Sequence, residues 1–317
     1  MSTAGARASV AEFEAIFEAV KNWGRWGADD ELGTLNYINA DKLREAASLV
    51  RSGRRVSMAI PINKVAGPDN PMPATLLCVQ GHDVAVDASG VRFALDWLGM
   101  ASHGDAHTHV DALCHISYNG RTYNGRPVEQ VMHSNGASEQ DIAAYASGIV
   151  GRGVLLDIPK HRGVKWLEPG EAVTRAELEE CASSQGVAIG EGDILVFRTG
   201  HHRRRLELGA WDHNPPPAGE GKAGLHVDAI PWMHERRIAA FLPDGDGETV
   251  PSVVDGVTYP IHPLQVVAMG MLVSDSLQFE ELAAACEAEG RQEFMVVGLP
   301  LRLPGATGSP WNPIAIF

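Results

Sequence analysis

The residues of this chain best suited to chemistry lie together at positions 103–115, which read HGDAHTHVDALCH. Four histidines and two aspartates occupy these thirteen positions. Imidazole and carboxylate groups are the usual ligands of Zn²⁺ and Mn²⁺, and imidazole also transfers protons near neutral pH. The stretch could therefore hold a metal ion, relay protons or form only a polar loop.

The geometry of the stretch depends on its secondary structure. On a strand, Asp105, His107, His109 and Asp111 would share one face, whereas on a helix Asp105 would meet His109 and Asp111 would meet His115. The segment THVDAL favours a strand, and the two Asn-Gly pairs that follow it at 119–120 and 124–125 indicate turns. His109 and Asp111 would then point together, with Asp105 reaching in from the preceding loop as a third ligand and His115 beside them as general acid or base.

Composition restricts the class of protein. The formal charge of −14 argues against a nucleic acid or an anionic membrane as partner, and the basic run at 201–205 is too short to change that. The chain has no glycine-rich nucleotide-binding motif, no apolar run long enough to span a membrane and no recognisable signal peptide. Four widely spaced cysteines without a CxxC pair are typical of reduced thiols, so we expect a soluble, cytoplasmic protein.

The elements that must position the cluster form a mixed α/β pattern. Helices are predicted at 9–22, after the cap Asn39, from the capping box Thr174–Glu177 to about 185, at 228–237 and at 277–290. Strands are predicted at 55–62, 91–98, 153–158, 193–200, 238–242 and 294–301. The order predicts one α/β domain over residues 1–317, without a strict βαβ alternation. The Pro/Gly-rich segments 63–74 and 212–222 are expected to be long loops that act as lids or oligomer contacts.

The cluster resembles the motif HxGTHxDxPxH of the cyclase family of metal-dependent hydrolases, which includes bacterial kynurenine formamidase and isatin hydrolase. Four further segments resemble members of that family: WGADDELGTLNYI at 26–38, DALCHISYNGRTYNG at 111–125, GDILVFRTG at 192–200 and LRLPGATGSPWNPIAIF at 301–317. The similarity therefore runs from about residue 26 to residue 317.

The resemblance implies roles for individual residues of the cluster. The second histidine and the aspartate of the motif, both metal ligands, fall on His109 and Asp111, and the catalytic acid/base falls on His115. The first histidine ligand falls on Asp105, a carboxylate that would shift the preference from Zn²⁺ toward Mn²⁺. The motif glycine falls on His107. His103 or His107 could instead supply the missing imidazole, so these two are further candidates for metal or substrate binding.

A second group of residues, in the segment YPIHPLQVVAMGMLVSDSL, also resembles the family. A histidine and a glutamate of the family fall on His262 and Asp275. Because Asp275 is shorter than glutamate, one metal ion is expected rather than two, and His262 would orient the substrate or stabilise the oxyanion. Trp97 could form an apolar wall beside the metal, although a lone aromatic residue on a strand more often belongs to the core.

The resemblance also implies the fold and the reaction. We expect a barrel-like β core with surrounding helices, of the swivelling β/β/α type. The protein is expected to form a homodimer or homotetramer, and the helix within residues 1–25 could form an oligomer contact. The expected activity is hydrolysis of an amide bond of a small molecule, cyclic or N-formyl, by water activated on one Mn²⁺ or Zn²⁺ ion per subunit. A lactone or ester hydrolase, and a non-hydrolytic cyclase, lyase or binding protein on the same scaffold, are the alternatives.

Overall fold

The computed structural model describes residues 7–83 and 86–317. Its strands are β1 (Arg55–Ser57), β2 (Thr75–Gln80), β3 (Leu95–Gly99), β4 (His109–Asp111), β5 (Met132–His133), β6 (Gly136–Ala137), β7 (Ile149–Asp157), β8 (Ala172–Val173), β9 (Ile194–Arg198), β10 (Gly224–Leu225), β11 (Ala240–Pro243), β12 (Leu272–Asp275), β13 (Glu293–Gly298), β14 (Gly308–Pro310) and β15 (Ile314–Ile316). Nine of them form one mixed sheet in the order β1-β15-β13-β7-β9-β11-β12-β4-β14. The four strands β7, β9, β11 and β12 are parallel to one another, and antiparallel strands flank them on both sides.

Helices surround this sheet. The α-helices are α1 (Val10–Ala19), α2 (Ala40–Ser48), α3 (Val128–Val131), α4 (Ile158–Arg162), α5 (Arg175–Ser184), α6 (His201–Leu208), α7 (Ala229–Glu235) and α8 (Glu280–Glu289). Shorter 3₁₀ turns cover Gly33–Tyr37, Tyr123–Gly125 and Ile142–Tyr145, and a π-helical segment covers Pro263–Met269. In the part of the chain that the structure describes, no helix is long and apolar enough to cross a membrane.

The C-terminal segment shows that the sheet is curled. Strands β14 and β15 are separated by only residues 311–313, a connection that spans at most about 14 Å. They nevertheless occupy the ninth and second places in the sheet, which in a flat sheet would be about 34 Å apart. The two ends of the sheet must therefore approach each other, and this produces the half-barrel expected for the β core.

The central strands are buried on both faces because alternate residues belong to two different cores. In β9, Leu195 and Phe197 pack with the helices of one core, whereas Ile194 and Val196 pack in the other. The same alternation separates Phe241 from its neighbours in β11. Strands of this kind appear in the sequence as continuous apolar runs, and β9 and β11 were predicted on that basis.

Local capping explains where several helices begin. Asn39 accepts hydrogen bonds from the amides of Asp41 and Lys42 at the start of α2, and Thr174 accepts one from Glu177 at the start of α5. Helix α1 opens with a capping box, and its buried residues Phe13 and Phe17 pack in the first core of the same chain.

Strands β2 and β3 form a separate antiparallel hairpin whose side chains are largely exposed. The sequence predicted one strand at 91–98, and the structure has β3 at Leu95–Gly99. The strand predicted at 55–62 is limited to β1, because after Ser57 the chain leaves the sheet toward Pro61.

Candidate metal centre

The centre of the site is β4, which lies between β12 and β14. In this register Asp275 stands opposite His109, and Gly308 stands opposite Asp111. Val110 packs into one of the two cores, so His109 and Asp111 point to the other face of the strand. The shared face predicted for His109 and Asp111 is thus confirmed, and strand pairing adds Asp275 to it.

The His103 ring lies against this face from the turn before β4. Its Nδ1 atom is 3.0 Å from Asp111 Oδ1, and its Nε2 atom is 2.9 Å from Thr307 Oγ1. The ring also stacks on His115, with centroids 3.6 Å apart. A Cβ atom at Gly308 would lie 2.6 Å from His103 Cε1, so only glycine leaves room for this ring.

His109 is oriented in the same manner. Its Nδ1 donates a hydrogen bond to the carbonyl oxygen of His107 at 2.8 Å. Its Nε2 lies on the side of the carboxylates, 3.6 Å from Asp111 Oδ1 and 3.8 Å from Asp275 Oδ2. Metal-binding histidines usually have one ring nitrogen held by a hydrogen bond to a second group, while the other nitrogen is available to the cation.

Two groups of potential ligand atoms, each within 4.8 Å, share Asp111: His103, His109 and Asp111, and Asp111, His262 and Asp275. Asp111 Oδ2 and Asp275 Oδ1 are buried without a hydrogen-bond partner in the described part of the chain, and the close contact between Asp111 Oδ1 and His103 Nδ1 lacks hydrogen-bond geometry. Unpartnered buried carboxylate oxygens are unfavourable, and a divalent cation would compensate them. The residues present therefore fit such an ion.

Asp105 lies outside both groups, in contrast to its predicted place beside His109 and Asp111. Its Oδ1 atom is 3.2 Å from Lys222 Nζ and 3.2 Å from His213 Nδ1. Although burial opposes it, the Lys222 ammonium holds the pKa of Asp105 well below its usual range. His107 is also directed elsewhere, because its Nε2 contacts the carbonyl oxygen of Asn63 at 3.0 Å. Of the two histidines considered as the additional imidazole, the structure brings His103 into the cluster.

His115 lies at the entrance of the cluster. Its Nε2 is 4.0 Å from Asp111 Oδ2, and it lines a cavity of about 330 Å³ together with His103, His109, His262 and Asp275. Burial lowers the pKa of His115 to about 4, against the opposing charge of Asp111. The ring is therefore a neutral proton acceptor at pH 7.

His262 is held between two carboxylates. Its Nδ1 is 2.8 Å from Glu248 Oε1, and its Nε2 is 3.4 Å from Asp275 Oδ2. Burial opposes the charged ring, but the hydrogen bonds that it donates to Asp275 and Glu248 raise the pKa of His262 well above its ordinary value. Burial raises the pKa of Asp275 itself to about 6, with a further contribution from Asp111. In the metal-free protein His262 is an imidazolium between Glu248 and Asp275.

The sequence analysis missed the carboxylates of the segment DGDGE at 244–248, which follows β11. Asp244 accepts hydrogen bonds from three backbone amides at the start of α6, Asp246 forms an ion pair with Lys222, and Glu248 holds His262. Acidic residues alternating with glycine directly after a buried strand were the signal that could have identified them.

Trp97, Arg198 and Cys114 do not enter the cluster. Trp97 lies on the β2–β3 hairpin, where 51% of its surface is exposed, and it does not line the cavity that contains the cluster, so it forms no wall there. Arg198 pairs with Asp157 and Glu280 and is structural. Burial raises the pKa of Cys114 to about 12, so its thiol is protonated and contributes packing.

Comparison with known proteins gives consistent results. A family model described as "Putative cyclase" matches residues 56–246. A crystal structure described as a novel cyclase is 34% identical, with a TM-score of 0.83, and the alignment covers 95% of this chain and 99% of that one.

Two more distant structures share the fold. An isatin hydrolase bound to the product analogue thioisatinate is 18% identical, with a TM-score of 0.56, over 86% of this chain and 94% of that one. A predicted metal-dependent hydrolase from Bacillus stearothermophilus is 15% identical, with a TM-score of 0.50, over 84% of this chain and 98% of that one. Among curated proteins, no sequence matched this chain.

Proposed function

Because the chain belongs to the cyclase family, we propose that it is a metal-dependent hydrolase that cleaves an amide bond of a small molecule, cyclic or N-formyl. The observation that supports this most directly is the buried Asp111 carboxylate, whose oxygens have no hydrogen-bond partner among the described residues and face two oriented imidazoles. The isatin hydrolase among the structural relatives supports the choice of an amide bond.

We assign His103, His109 and Asp111 to one divalent cation. Two imidazoles and one carboxylate suit Zn²⁺ or Mn²⁺ and leave coordination positions open on the side of the cavity. A cation bound here would lower the pKa of a coordinated water toward about 7 and so supply a nucleophile at neutral pH. One ion is proposed rather than two, because Asp275 is shorter than the glutamate of the family and His262 is already held between Glu248 and Asp275.

His115 is assigned as the acid/base. As a neutral imidazole at the cavity wall, its Nε2 accepts a proton from the attacking water while the C–O bond forms. The same proton is returned to the leaving nitrogen as the C–N bond breaks, so the ring ends the cycle neutral. The stack on His103 keeps the ring in place between the two transfers.

His262 is assigned to the developing oxyanion. It lines the same cavity and carries a positive charge, which is stabilised by Glu248 on the side facing away from Asp275. A cationic donor already in place for the negative oxygen of the tetrahedral intermediate stabilises the transition state more than the neutral ground state.

The test combines metal analysis with a substrate screen. Purified protein supplied with Mn²⁺ or Zn²⁺ is assayed against N-formyl aromatics, lactams and cyclic imides, with esters and lactones in parallel. His115→Ala should lose most turnover and keep the metal, Asp111→Ala should lose both, and His133→Ala, a change at an exposed histidine, should lose neither. If Asp111→Ala keeps both metal and activity, the assignment is wrong. A protein that binds no cation and is not activated by either ion would support a non-hydrolytic role.

We also propose that the protein is a homodimer or homotetramer and is cytoplasmic. The β2–β3 hairpin supports the first proposal, because it exposes many large apolar residues, including Leu77, Val79, Phe93, Leu95 and Trp97. The four free cysteines support the second. Light scattering on wild-type protein and on Leu77→Asp tests the assembly, which this change should weaken.

A further inference from the structure

A second cavity adjoins the one that contains the cluster. It has a volume of about 190 Å³, and residues 68–72 and 212–214 contribute to its lining. These residues belong to the two Pro/Gly-rich segments that the sequence predicted to be long loops acting as lids or oligomer contacts. The two cavities share His103, Gly104, Asp105, Lys222 and Tyr259, so a ligand bound at the cluster could extend into the second one.

The charges around this side cavity are unequal. Lys222 is only 5% exposed, and its ammonium lies 3.2 Å from Asp105 Oδ1 and pairs with Asp246. Asp69 and Asp212 also line the cavity, and Asp69 is paired with Arg205. The two carboxylates that share the Lys222 ammonium, together with Asp212, give the region an excess of negative charge.

Asp105 is the carboxylate best placed to meet a ligand. Its side chain is 34% exposed and borders both cavities. Lys222 and His213 both contact its Oδ1 atom, so neither of these contacts uses Oδ2.

The ring of His213 provides an independent observation. It is 5% exposed and lines the side cavity; its Nδ1 lies 3.2 Å from Asp105 Oδ1, and its Nε2 has no hydrogen bond to any residue in the described ranges. Buried ring nitrogens usually have a partner, and the unpartnered Nε2 is explained by a polar group that joins it from the cavity. Tyr259, which is 45% exposed, offers an aromatic ring on the boundary of the two cavities.

We propose that the side cavity is a specificity pocket for an amine, a positively charged N–H donor at the end of the substrate remote from the bond that is cleaved. The amine donates to the Asp105 carboxylate, a further polar atom beside it meets His213, and the Tyr259 ring contributes a cation–π contact. This inference rests on the proposed hydrolase function. It gives Asp105 a role in substrate selection instead of metal binding.

The alternative to an amine in the side cavity is an anionic group, which the positive charge of Lys222 would attract. Its ammonium is already compensated by Asp105 and Asp246, and a carboxylate entering the cavity would also meet Asp212. Like charges at such distances repel strongly where water is partly excluded, so an amine is favoured over an anion.

Binding is measured first, without turnover. Benzylamine, benzyl alcohol and benzoate share one ring and differ in charge, and their affinities for the full-length protein are determined by ligand-observed NMR. We expect benzylamine to bind most tightly, and Asp105→Asn to weaken it by about 10-fold, the effect of losing one charge-assisted hydrogen bond. Asp111→Asn, a change in the metal cluster, should leave benzylamine binding unchanged. Tighter binding of benzoate, or an unchanged affinity for benzylamine in Asp105→Asn, would overturn the proposal.

If circular dichroism shows that Asp105→Asn does not fold, the proposal is tested instead with the variants Tyr259→Phe and Tyr259→Leu. Phenylalanine keeps the aromatic face and should retain the preference for benzylamine over benzyl alcohol, whereas leucine should reduce it several-fold. Equal preferences in both variants would contradict the proposal.

The second measurement uses a pair of N-formyl anilides that differ only in a remote aminomethyl group. With Mn²⁺ or Zn²⁺ present, the aminated substrate should have the lower KM, and Asp105→Asn should raise that KM while kcat changes little. If neither substrate is hydrolysed, the proposed function fails while the binding result still stands. If both are hydrolysed with equal KM, only the amine pocket fails.

Discussion

Replacing Thr307 with valine tests whether His103 binds the cation. The change keeps the shape of the side chain and removes the hydroxyl group that lies 2.9 Å from His103 Nε2. If Nδ1 of His103 is a metal ligand, this hydroxyl is the group that orients the ring, and its loss should weaken metal binding without removing a ligand.

The size of the effect follows from the surroundings of His103. Loss of an outer hydrogen-bond partner of a metal-binding histidine typically costs about 10- to 100-fold in affinity. The His103 side chain is 27% exposed, so water can partly replace the hydroxyl, and the stack on His115 continues to hold the ring. We therefore expect the lower end of the range, about 10-fold, which corresponds to about 1.4 kcal/mol.

The assay is titration of metal-free protein with Mn²⁺ and Zn²⁺ against a fluorescent chelator. Thr307→Ser, which keeps the hydroxyl, should bind like wild type. Thr34→Val is the matched control, because Thr34 is buried and donates to the carbonyl oxygen of Ala239 at 2.7 Å, outside the site. It should lower the stability of the protein and leave metal affinity unchanged.

The reasoning is refuted if Thr307→Val binds both ions as tightly as wild type and His103→Gln does so too. The second variant is needed because a ring held by stacking alone could tolerate the loss of the hydroxyl. If both variants retain their metal affinity, Asp275 becomes the candidate for the third ligand.

Three further predictions concern the surroundings of the site. Gly308→Ala should lower metal affinity by at least as much as Thr307→Val, because its Cβ would displace the His103 ring; the same titration measures it. Asp244→Ala should lower the free energy of unfolding by about 3 kcal/mol, since three backbone amides and one hydroxyl lose their acceptor, and urea denaturation measures this. The raised pKa of His262 gives the metal-free protein stability that is fully present below the ordinary value of 6.5 and is lost as pH rises through the folded value. His262→Gln should flatten this part of the pH dependence of Tm, and an unchanged profile would contradict it.

Local signals in the sequence identified several elements because their physical cause is local. Asn39 and Thr174 predicted helix starts at the residues where α2 and α5 begin, since each cap satisfies amides within three residues. Apolar runs identified the strands β9 and β11, because a strand that is buried on both faces is apolar along its own sequence. In the site, the alternation of side chains on a strand was sufficient to place His109 and Asp111 together.

Other features depend on distant residues and could not be predicted in this way. The basic run at 201–205 was not predicted to be a helix with buried residues, but it forms the first part of helix α6, in which His201 and Arg204 are buried. Its start is stabilised by Asp244, more than forty residues away in sequence. The short strands β12 and β14, which complete the site, were also not predicted, because three or four residues carry little periodicity of their own.

The exchange of Asp105 for His103 shows how such a distant contact changes the chemistry of a motif. Spacing relative to His109 aligned Asp105 with a family ligand, but the turn at Gly104 directs Asp105 to Lys222 and leaves His103 facing Asp111. The His103 ring can occupy that place only because residue 308 has no side chain and Thr307 meets its outer nitrogen. The C-terminal segment therefore acts on the proposed metal centre through His103, and this segment, together with Lys222, determines which of the two residues faces Asp111 and which borders the side cavity.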